Sequence, residues 1–302
     1  MGRVQRAVPS AEMNGVMMKS VVVTGVSTGI GHATAADLCR RGYRVFGSVR
    51  RVEQGDALRD ELGAQFQPLL FDVTDETAVR RAADEVRETL ADAGLFGLVN
   101  NAGLCDPGPL SVQAAEIVRQ HLEVNVMGVV HAVQAFLPLL RRPKGASDRP
   151  GRIVNISSVS GRIAFPFVGA YAASKHALEA LSDSLRRELL IYGVDVVVIE
   201  PGAIDTPIWD KAVHVQTAYE GSDYAGLLKG FNPMDNRRGA LPTSVVTRRI
   251  AEALEARRPR TRYAIPDQPI KFWHIPRMLP DRWLDRIIDR SLNLQAIRDA
   301  LP

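Results

Sequence analysis

The feature that most restricts this chain is a repeated change of hydrophobic period, in which a short β-branched run gives way each time to a segment of helical length. The runs are Ser20–Thr24, Tyr43–Val49, Gln67–Phe71, Gly97–Asn100, Arg152–Ser157 and Val194–Ile199. Val21-Val22-Val23 and Val196-Val197-Val198-Ile199 are apolar on both faces, as a strand must be when helices cover both sides of its sheet. The sheet is therefore expected to be parallel. Helical length and period fill Ile30–Arg41, Thr74–Ala91, Ser111–Leu140 and Ala170–Tyr192, with Gly42 and Gly193 placed as C-terminal stops. No break interrupts the alternation before residue 200, which predicts an α/β fold with one doubly wound domain from residue 19 to 302.

Composition supports a large core and excludes several other classes. Of 302 residues, 46% are hydrophobic, enough to bury an extensive interior. Thirty-eight basic against thirty-four acidic side chains leave +4, too small an excess to predict a nucleic-acid partner. Cys39 and Cys105 form neither a disulfide framework nor a metal-ligand spacing, and the six histidines include no His-x-x-x-His pair. A reduced, cytoplasmic setting without a metal site is expected. The longest apolar runs, such as Leu137–Leu140, fall far short of the roughly 20 residues of a membrane span, so no transmembrane segment is expected. Residues 1–18 carry Arg3 and Arg6 but no apolar core, and read as a disordered extension rather than a targeting signal; Met17 and Met18 mark where an alternative start would fall. Arg141–Gly151 reads as a solvated loop, and Arg257, Arg258, Arg260 and Arg262 as a solvated face. Asn155-Ile156-Ser157 fits a glycosylation acceptor, but on an interior strand the match is incidental.

The first strand runs into Thr24-Gly25-Val26-Ser27-Thr28-Gly29-Ile30-Gly31 and then directly into a helix. A diphosphate approaches a helix N-terminus closely only where side chains are missing, and the free N–H groups and helix dipole then hold its charge. The glycines supply that clearance, although a tight turn alone would use the same residues.

Further motifs follow in order. Asn100-Asn101-Ala102-Gly103 ends the fourth strand, Asn125 lies in the next helix, Ser158 follows the fifth strand, Tyr171-Ala172-Ala173-Ser174-Lys175 opens a helix, and Pro201-Gly202 with Thr206 follows the sixth strand. With the Thr-Gly-x-x-x-Gly-Ile-Gly turn, this set resembles the short-chain dehydrogenase/reductase family across residues 24–206. The resemblance implies a Rossmann-like domain with a seven-stranded sheet, and a nicotinamide cofactor held by Gly25, Ser27, Thr28, Gly29, Ile30, Gly31, Asn101, Ala102, Gly103, Tyr171, Lys175, Pro201, Gly202 and Thr206. It also implies that Asp72-Val73, at the end of the third strand, contacts the adenine. Val49-Arg50-Arg51 closes the second strand without a carboxylate. A carboxylate there would repel a 2′-phosphate, whereas Arg50, helped by Ser27, would pair with one, so NADP(H) is favoured over NAD(H). Stacking of Arg50 on the adenine, without discrimination, is the alternative.

Tyr171 and Lys175 stand one helical turn apart on one face. A neighbouring ammonium is expected to lower the phenol from its ordinary value near pH ~10 and make it a usable acid/base. Ser158 is the candidate second donor to the substrate oxygen; Ser157 should turn to the opposite face. The nicotinamide would exchange hydride at carbon while Tyr171 exchanges the proton at oxygen. The resemblance adds contacts from Lys175 to the nicotinamide ribose and a water held by Asn125 in a proton relay, beside a structural role for that amide at a helix irregularity.

Residues 203–240 mix Ile208, Trp209, Tyr219, Tyr224, Leu227, Leu228 and Phe231 with polar positions and are expected to cover an apolar substrate, or simply to pack on the core. The tail, residues 266–302, holds an amphipathic pattern through Leu279–Ile288. Val45–Arg50, the overall length and this tail resemble the branch of 17β-hydroxysteroid and retinol dehydrogenases, which implies a lipophilic alcohol or ketone. Phe272, Trp273 and Trp283 are candidate anchors for a membrane surface or a partner subunit. The resemblance further implies a homodimer or homotetramer packed through Ser111–Leu140 and Ala170–Tyr192. Two other functions fit the motifs: a 3-ketoacyl reductase sharing the same tetrad, and a nucleotide-binding sensor or scaffold without turnover.

Overall fold

The computed structural model describes residues 12–13, 16–91, 93–141, 149–210, 215–230 and 239–299. Seven parallel strands form one sheet in a single α/β domain: β1 (Ser20–Val23), β2 (Arg44–Val49), β3 (Phe66–Leu70), β4 (Gly97–Asn100), β5 (Arg152–Ile156), β6 (Asp195–Pro201) and β7 (Arg262–Ile265). Their order is β3-β2-β1-β4-β5-β6-β7, so the chain moves outward from β1 and then returns to β1's other side. A crevice opens where that direction reverses, beyond the carboxyl ends of β1 and β4. The glycine turn and Asn100–Gly103 lie at those two ends.

Valines make the central strands because both faces are buried: Val21, Val22 and Val23 are each 0% exposed. Odd and even positions of β1 enter different cores. Val21 and Val23 pack with Leu38 of α1 (Gly29–Arg40) and Leu58 of α2 (Val52–Leu62), whereas Val22 packs with Val79 and Val86 of α3 (Glu76–Leu90). Segment α4 (Ala115–Leu122) continues through a π-helical turn at Glu123–Met127 into α5 (Gly128–Leu140), which lies with α6 (Gly169–Glu188) on the α3 side. Among the described residues, Ala115–Leu140 is the one helix long and apolar enough to cross a membrane; here Val129, Ala132, Val133, Phe136 and Leu140 are buried against the sheet. Helix α7 (Thr243–Glu255) covers the α1 side.

Two arginines hold the far end of α7. Arg152 donates to the carbonyls of Ala253 and Leu254, and Arg149 to those of Leu254 and Ala256, which places cations on carbonyls that have no partner within the helix. Arg149, read as part of a solvated loop, is thus a helix cap; residues 142–148 of that loop lie outside the described residues. The proposed extension 1–18 falls largely outside them as well, though Glu12–Met13 pairs antiparallel with Val16–Met17. The tail is helical at Ile275–Met278, in α8 (Asp281–Leu292) and at Leu294–Arg298.

Asn155, the incidental glycosylation match, is buried and links three elements. It accepts from Asn100 Nδ2 at 2.8 Å and donates to Ser182 Oγ at 2.9 Å, tying β4, β5 and α6. Asn155→Ala strands the buried Asn100 amide and takes from Ser182 one of its two bonds, so chemical denaturation should show a loss of about 1–3 kcal/mol.

Candidate functional site

The glycine turn is shaped by backbone crowding. Gly25 and Gly29 have φ of +69° and +62°, in the left-handed region that glycine favours. A Cβ on Gly31 would lie 2.2 Å from the Gly25 carbonyl oxygen and 2.4 Å from Asn101 Nδ2, so α1 begins in direct backbone contact with the turn. Asn101 closes the junction by donating to the carbonyls of Thr24 and Gly25, both at 2.9 Å. Thr24 Oγ1 in turn accepts the N–H groups of Asn101 and Ala102. Ser48 accepts the Gly25 N–H at 2.8 Å, a role marked in sequence only by a small polar residue on an otherwise apolar strand.

This cradle fits a dinucleotide diphosphate. The first turn of α1 holds no acidic residue, Thr28 leaves the helix N-terminus without a side-chain cap, and Ser27 and Ile30 are only partly buried beside it. Thr206 lies over the same turn, 3.3 Å from where a Gly29 Cβ would stand. Gly202 is hydrogen-bonded to the Ile265 carbonyl, which brings Pro201-Gly202 to the same strand ends. At the end of β2, Arg50 is 70% exposed and its Nη1 lies 3.9 Å from Asp72 Oδ2, a loose pair that leaves most guanidinium donors in solvent. Asp72 Oδ1 accepts from Thr74, and Val73 is buried with its carbonyl meeting His131, so only the outer carboxylate oxygen faces Arg50.

Beyond β4 and β5 the remaining predicted residues converge. Tyr171 neighbours Ser158, whose Oγ accepts from Ser160 N at 3.1 Å and donates to the Pro201 carbonyl at 3.3 Å. Ser157 faces the other way, with its buried Oγ near Gly161 and Glu179. Lys175 is 5% exposed and donates to the Ile156 carbonyl at 2.8 Å, with Nζ 5.7 Å from the Tyr171 ring centre. Asn125 sits in the π-helical turn, an interruption that recurs at functional sites. Its amide accepts from Leu104 N, donates to Leu104 O and donates to Ser174 Oγ, which bonds the Tyr171 carbonyl. The structural reading of Asn125 is therefore realised.

One electrostatic expectation is overturned. Lys175 does not lower the phenol: burial pushes Tyr171 well above the ordinary tyrosine value, with only the Ser158 hydrogen bond pulling it down. Lys175 has turned its ammonium to a carbonyl, and burial lowers it to about 8. Cys105, beside this pair, is pushed up to about 12 by burial. His121, not singled out from sequence, is fully buried edge-on to Tyr171, at 6.4 Å between ring centres. It accepts from Asp106 N, so its other nitrogen donates to Ile117 O and the ring is neutral, in line with its lowered pKa. Its signal was available: it precedes Asn125 by one helical turn on the same face.

The segment that joins Ser158 to Tyr171 is rimmed by aromatic rings. Phe167 has φ of +67° and its ring meets Tyr224 edge-on at 5.9 Å, while Tyr219 packs where a Gly108 side chain would stand. Tyr224 accepts from Ser111 Oγ, and Trp209 donates to the Ile204 carbonyl. Ile208 and Leu227 are half-buried, whereas Leu228 is completely buried and serves packing alone; Phe231 lies outside the described residues. Phe272 meets Phe165 edge-on at 6.0 Å, bringing the tail to this rim. Trp273 departs from its anchoring expectation: it is 8% exposed and stacked by Arg277, so only Trp283, at 59%, stands free.

The profile of the short chain dehydrogenase family matches residues 19–216. The chain is 39% identical to an NADPH-dependent 3-dehydrocapnine reductase from Ornithobacterium rhinotracheale, over 91% of this chain and 98% of that one. It is 36% identical to human 17-beta-hydroxysteroid dehydrogenase type 6 over 90% and 88% of the two chains, and 36% identical to mouse retinol dehydrogenase 16 over 82% and 80%. Among solved structures, a short-chain dehydrogenase from Streptomyces avermitilis superposes with a TM-score of 0.71 at 26% identity, covering 95% and 99%. A Burkholderia phymatum short chain dehydrogenase/reductase in complex with NAD does so with 0.69 at 27% identity, covering 84% and 90%.

Replacing the buried ammonium should stabilise the protein. A lysine held near pH 8 in the folded chain and 10.5 when unfolded disfavours folding below pH 8, and the penalty fades between those values as the folded state alone loses the proton. Lys175→Met, offset in part by the bond lost at Ile156, should gain about 1–2 kcal/mol at pH 7 in denaturant titrations, and the gain should shrink by pH 10.

Proposed function

Because the chain belongs to the short-chain dehydrogenase/reductase family, in the branch of the retinol and 17β-hydroxysteroid dehydrogenases, we propose that it interconverts a lipophilic alcohol and its carbonyl with NADP(H), using Tyr171 as acid/base. Membership itself makes it an NAD(P)-dependent oxidoreductase of CH–OH groups. The observation that carries the finer reading is the convergence of Ser158 and Tyr171 at the mouth of the switch-point crevice, with buried Lys175 one turn away and 5.7 Å from the Tyr171 ring centre. Two hydroxyl donors converging on one point suit a carbonyl oxygen.

When bound, the nicotinamide supplies or accepts the hydride. Tyr171 is protonated at neutral pH because its phenolate is costly to bury, so it gives a proton to the reduced carbonyl oxygen without prior ionisation. In the opposite direction it must first lose that proton. Ser158 orients the same oxygen, and Asn125 is the candidate holder of a relay water beside Lys175. Support for NADP(H) comes from Arg50, free of a close carboxylate partner, and from the cofactor named for the bacterial reductase. Phe165, Phe167, Tyr219, Tyr224 and Phe272 support a lipophilic substrate by lining the rim with rings. The two free cysteines suit the cytoplasm, and Leu122 and Met127, exposed on the α4–α5 helix, suit paired subunits. The face carrying Trp283 and Ile287 on α8 suits peripheral membrane contact.

Turnover followed at the reduced nicotinamide absorbance across retinoid, steroid and long-chain ketone panels tests the activity; no reduction of any of them with either cofactor removes the reading. Tyr171→Phe should bind NADP(H) normally and lose about 10³-fold in kcat, and a variant within tenfold of wild type would discard the acid/base role. Arg50→Glu should weaken NADPH at least tenfold while sparing NADH, as measured by Michaelis constants. Oxidation should accelerate as pH rises from 7 to 9, because ionising the phenol limits that direction.

A further inference from the structure

A cavity of about 360 Å³, whose lining includes none of Ser158, Tyr171 and Lys175, opens at the β7 edge of the sheet. Its walls carry Arg162 from the loop after β5, Arg249 of α7, Arg260 and Arg262 around β7, and Arg277 from the tail, with Glu200 of β6 among them. Two of the arginines are neutralised: Arg249 by Glu252, and Arg262 by Glu179 and Asp183 of α6. Arg162, Arg260 and Arg277 have no carboxylate partner among the described residues, and Arg277 is held in place by stacking on Trp273 at 4.6 Å. Three guanidiniums thus face one cavity without counter-ions.

Glu200 supplies the second observation. It is 1% exposed, and its Oε1 receives no hydrogen bond. Arg262 Nε lies 3.6 Å from that oxygen, but its proton is already committed to Glu179 Oε2 at 3.0 Å. Arg262 Nη2 is committed likewise, to Asp183 at 2.8 Å. Burial, then the nearby Glu179, pushes Glu200 up to about 7 against the pull of Arg162, Arg262 and Arg277. A carboxyl that holds its proton is a donor, and a buried donor among arginines completes a cage for an anion.

We propose that this cavity is a binding site for a tetrahedral dianion, a sulfate or phosphate group, gripped by Arg162, Arg260 and Arg277 and by protonated Glu200. Binding is then coupled to uptake of one proton. The groups facing Glu200 are Glu179 and Asp183 from α6, Arg262 from β7, Arg162 from the loop after β5, Arg277 from the tail and Arg249 from α7. Glu179 Oε2 and Asp183 Oδ1 each accept from Arg262, whereas Glu200 Oε1 has no hydrogen-bond partner, so the proton taken up goes to Glu200.

Inorganic sulfate is the probe, because its charge is constant across neutral pH. Calorimetric titration of the full chain at constant ionic strength should show one saturable site at pH 6, retained with saturating NADPH, and about tenfold weaker at pH 8. Arg162→Gln combined with Arg277→Gln, both at the open side, should weaken binding at least tenfold. Glu200→Gln keeps a donor without a titrating proton and should bind equally at both pH values. Absence of saturable binding at pH 6, release of sulfate by NADPH, or undiminished affinity in the double arginine variant overturns the proposal; should Glu200→Gln not fold, the pH dependence of the wild-type chain decides.

Discussion

The rest of the site depends on how closely the backbone of α1 approaches the ends of β1 and β4. Gly31 touches the Gly25 carbonyl, and the Asn101 amide clasps the carbonyls of Thr24 and Gly25 from the other side. One side-chain amide thereby locks the glycine turn to the end of β4. Because the strand order reverses between β1 and β4, no connection crosses this junction, and the crevice stays open. Any Cβ at residue 31 would force the two halves apart, and the diphosphate cradle and the Ser158–Tyr171 pair would lose their common frame.

Around that frame the polar groups are few, buried and almost all committed. Asn125 spends its amide on Leu104 and Ser174, His121 spends both nitrogens on backbone groups, and Lys175 spends its ammonium on Ile156. Such commitments fix where Tyr171 stands. The consequence is a phenol that keeps its proton and a lysine that holds its own weakly. The buried Lys175 ammonium costs stability, since burial lowers its pKa from the ordinary value.

Much of this was legible beforehand. Doubly apolar valine runs announced a parallel sheet covered on both faces, and six of the strands appear within two residues of where the β-branched runs placed them. The Tyr171-x-x-x-Lys175 spacing and strand alternation at Ser157-Ser158 located the side chains that meet. Other elements were less visible: α2 is a short helix that carries Gly55 inside it, α7 falls where no periodic segment was read, and β7 has only four residues, beginning with an arginine. Arg262 looked like part of a solvated charge run because sequence could not show that Glu179 and Asp183, about eighty positions earlier, come to face it. Trp273 looked like a free anchor for the same reason; the tail folds back and buries it beside Arg277.

Sequence alone determined what is local or periodic: which segments are strands and helices, where glycine leaves room for a phosphate, and which tyrosine and lysine share a helix face. These follow from backbone sterics and from periods of two and 3.6 residues, and need no distant partner. Only the tertiary structure decided the electrostatics. Whether an ionisable group keeps its proton depends on how much water has been removed and on which charges arrive from far along the chain, and neither quantity is encoded in spacing. That is why the Tyr171 phenol rises where the motif led us to expect a fall, and why Glu200, an unremarked residue on an apolar strand, is pushed up by burial among arginines drawn from four separate segments.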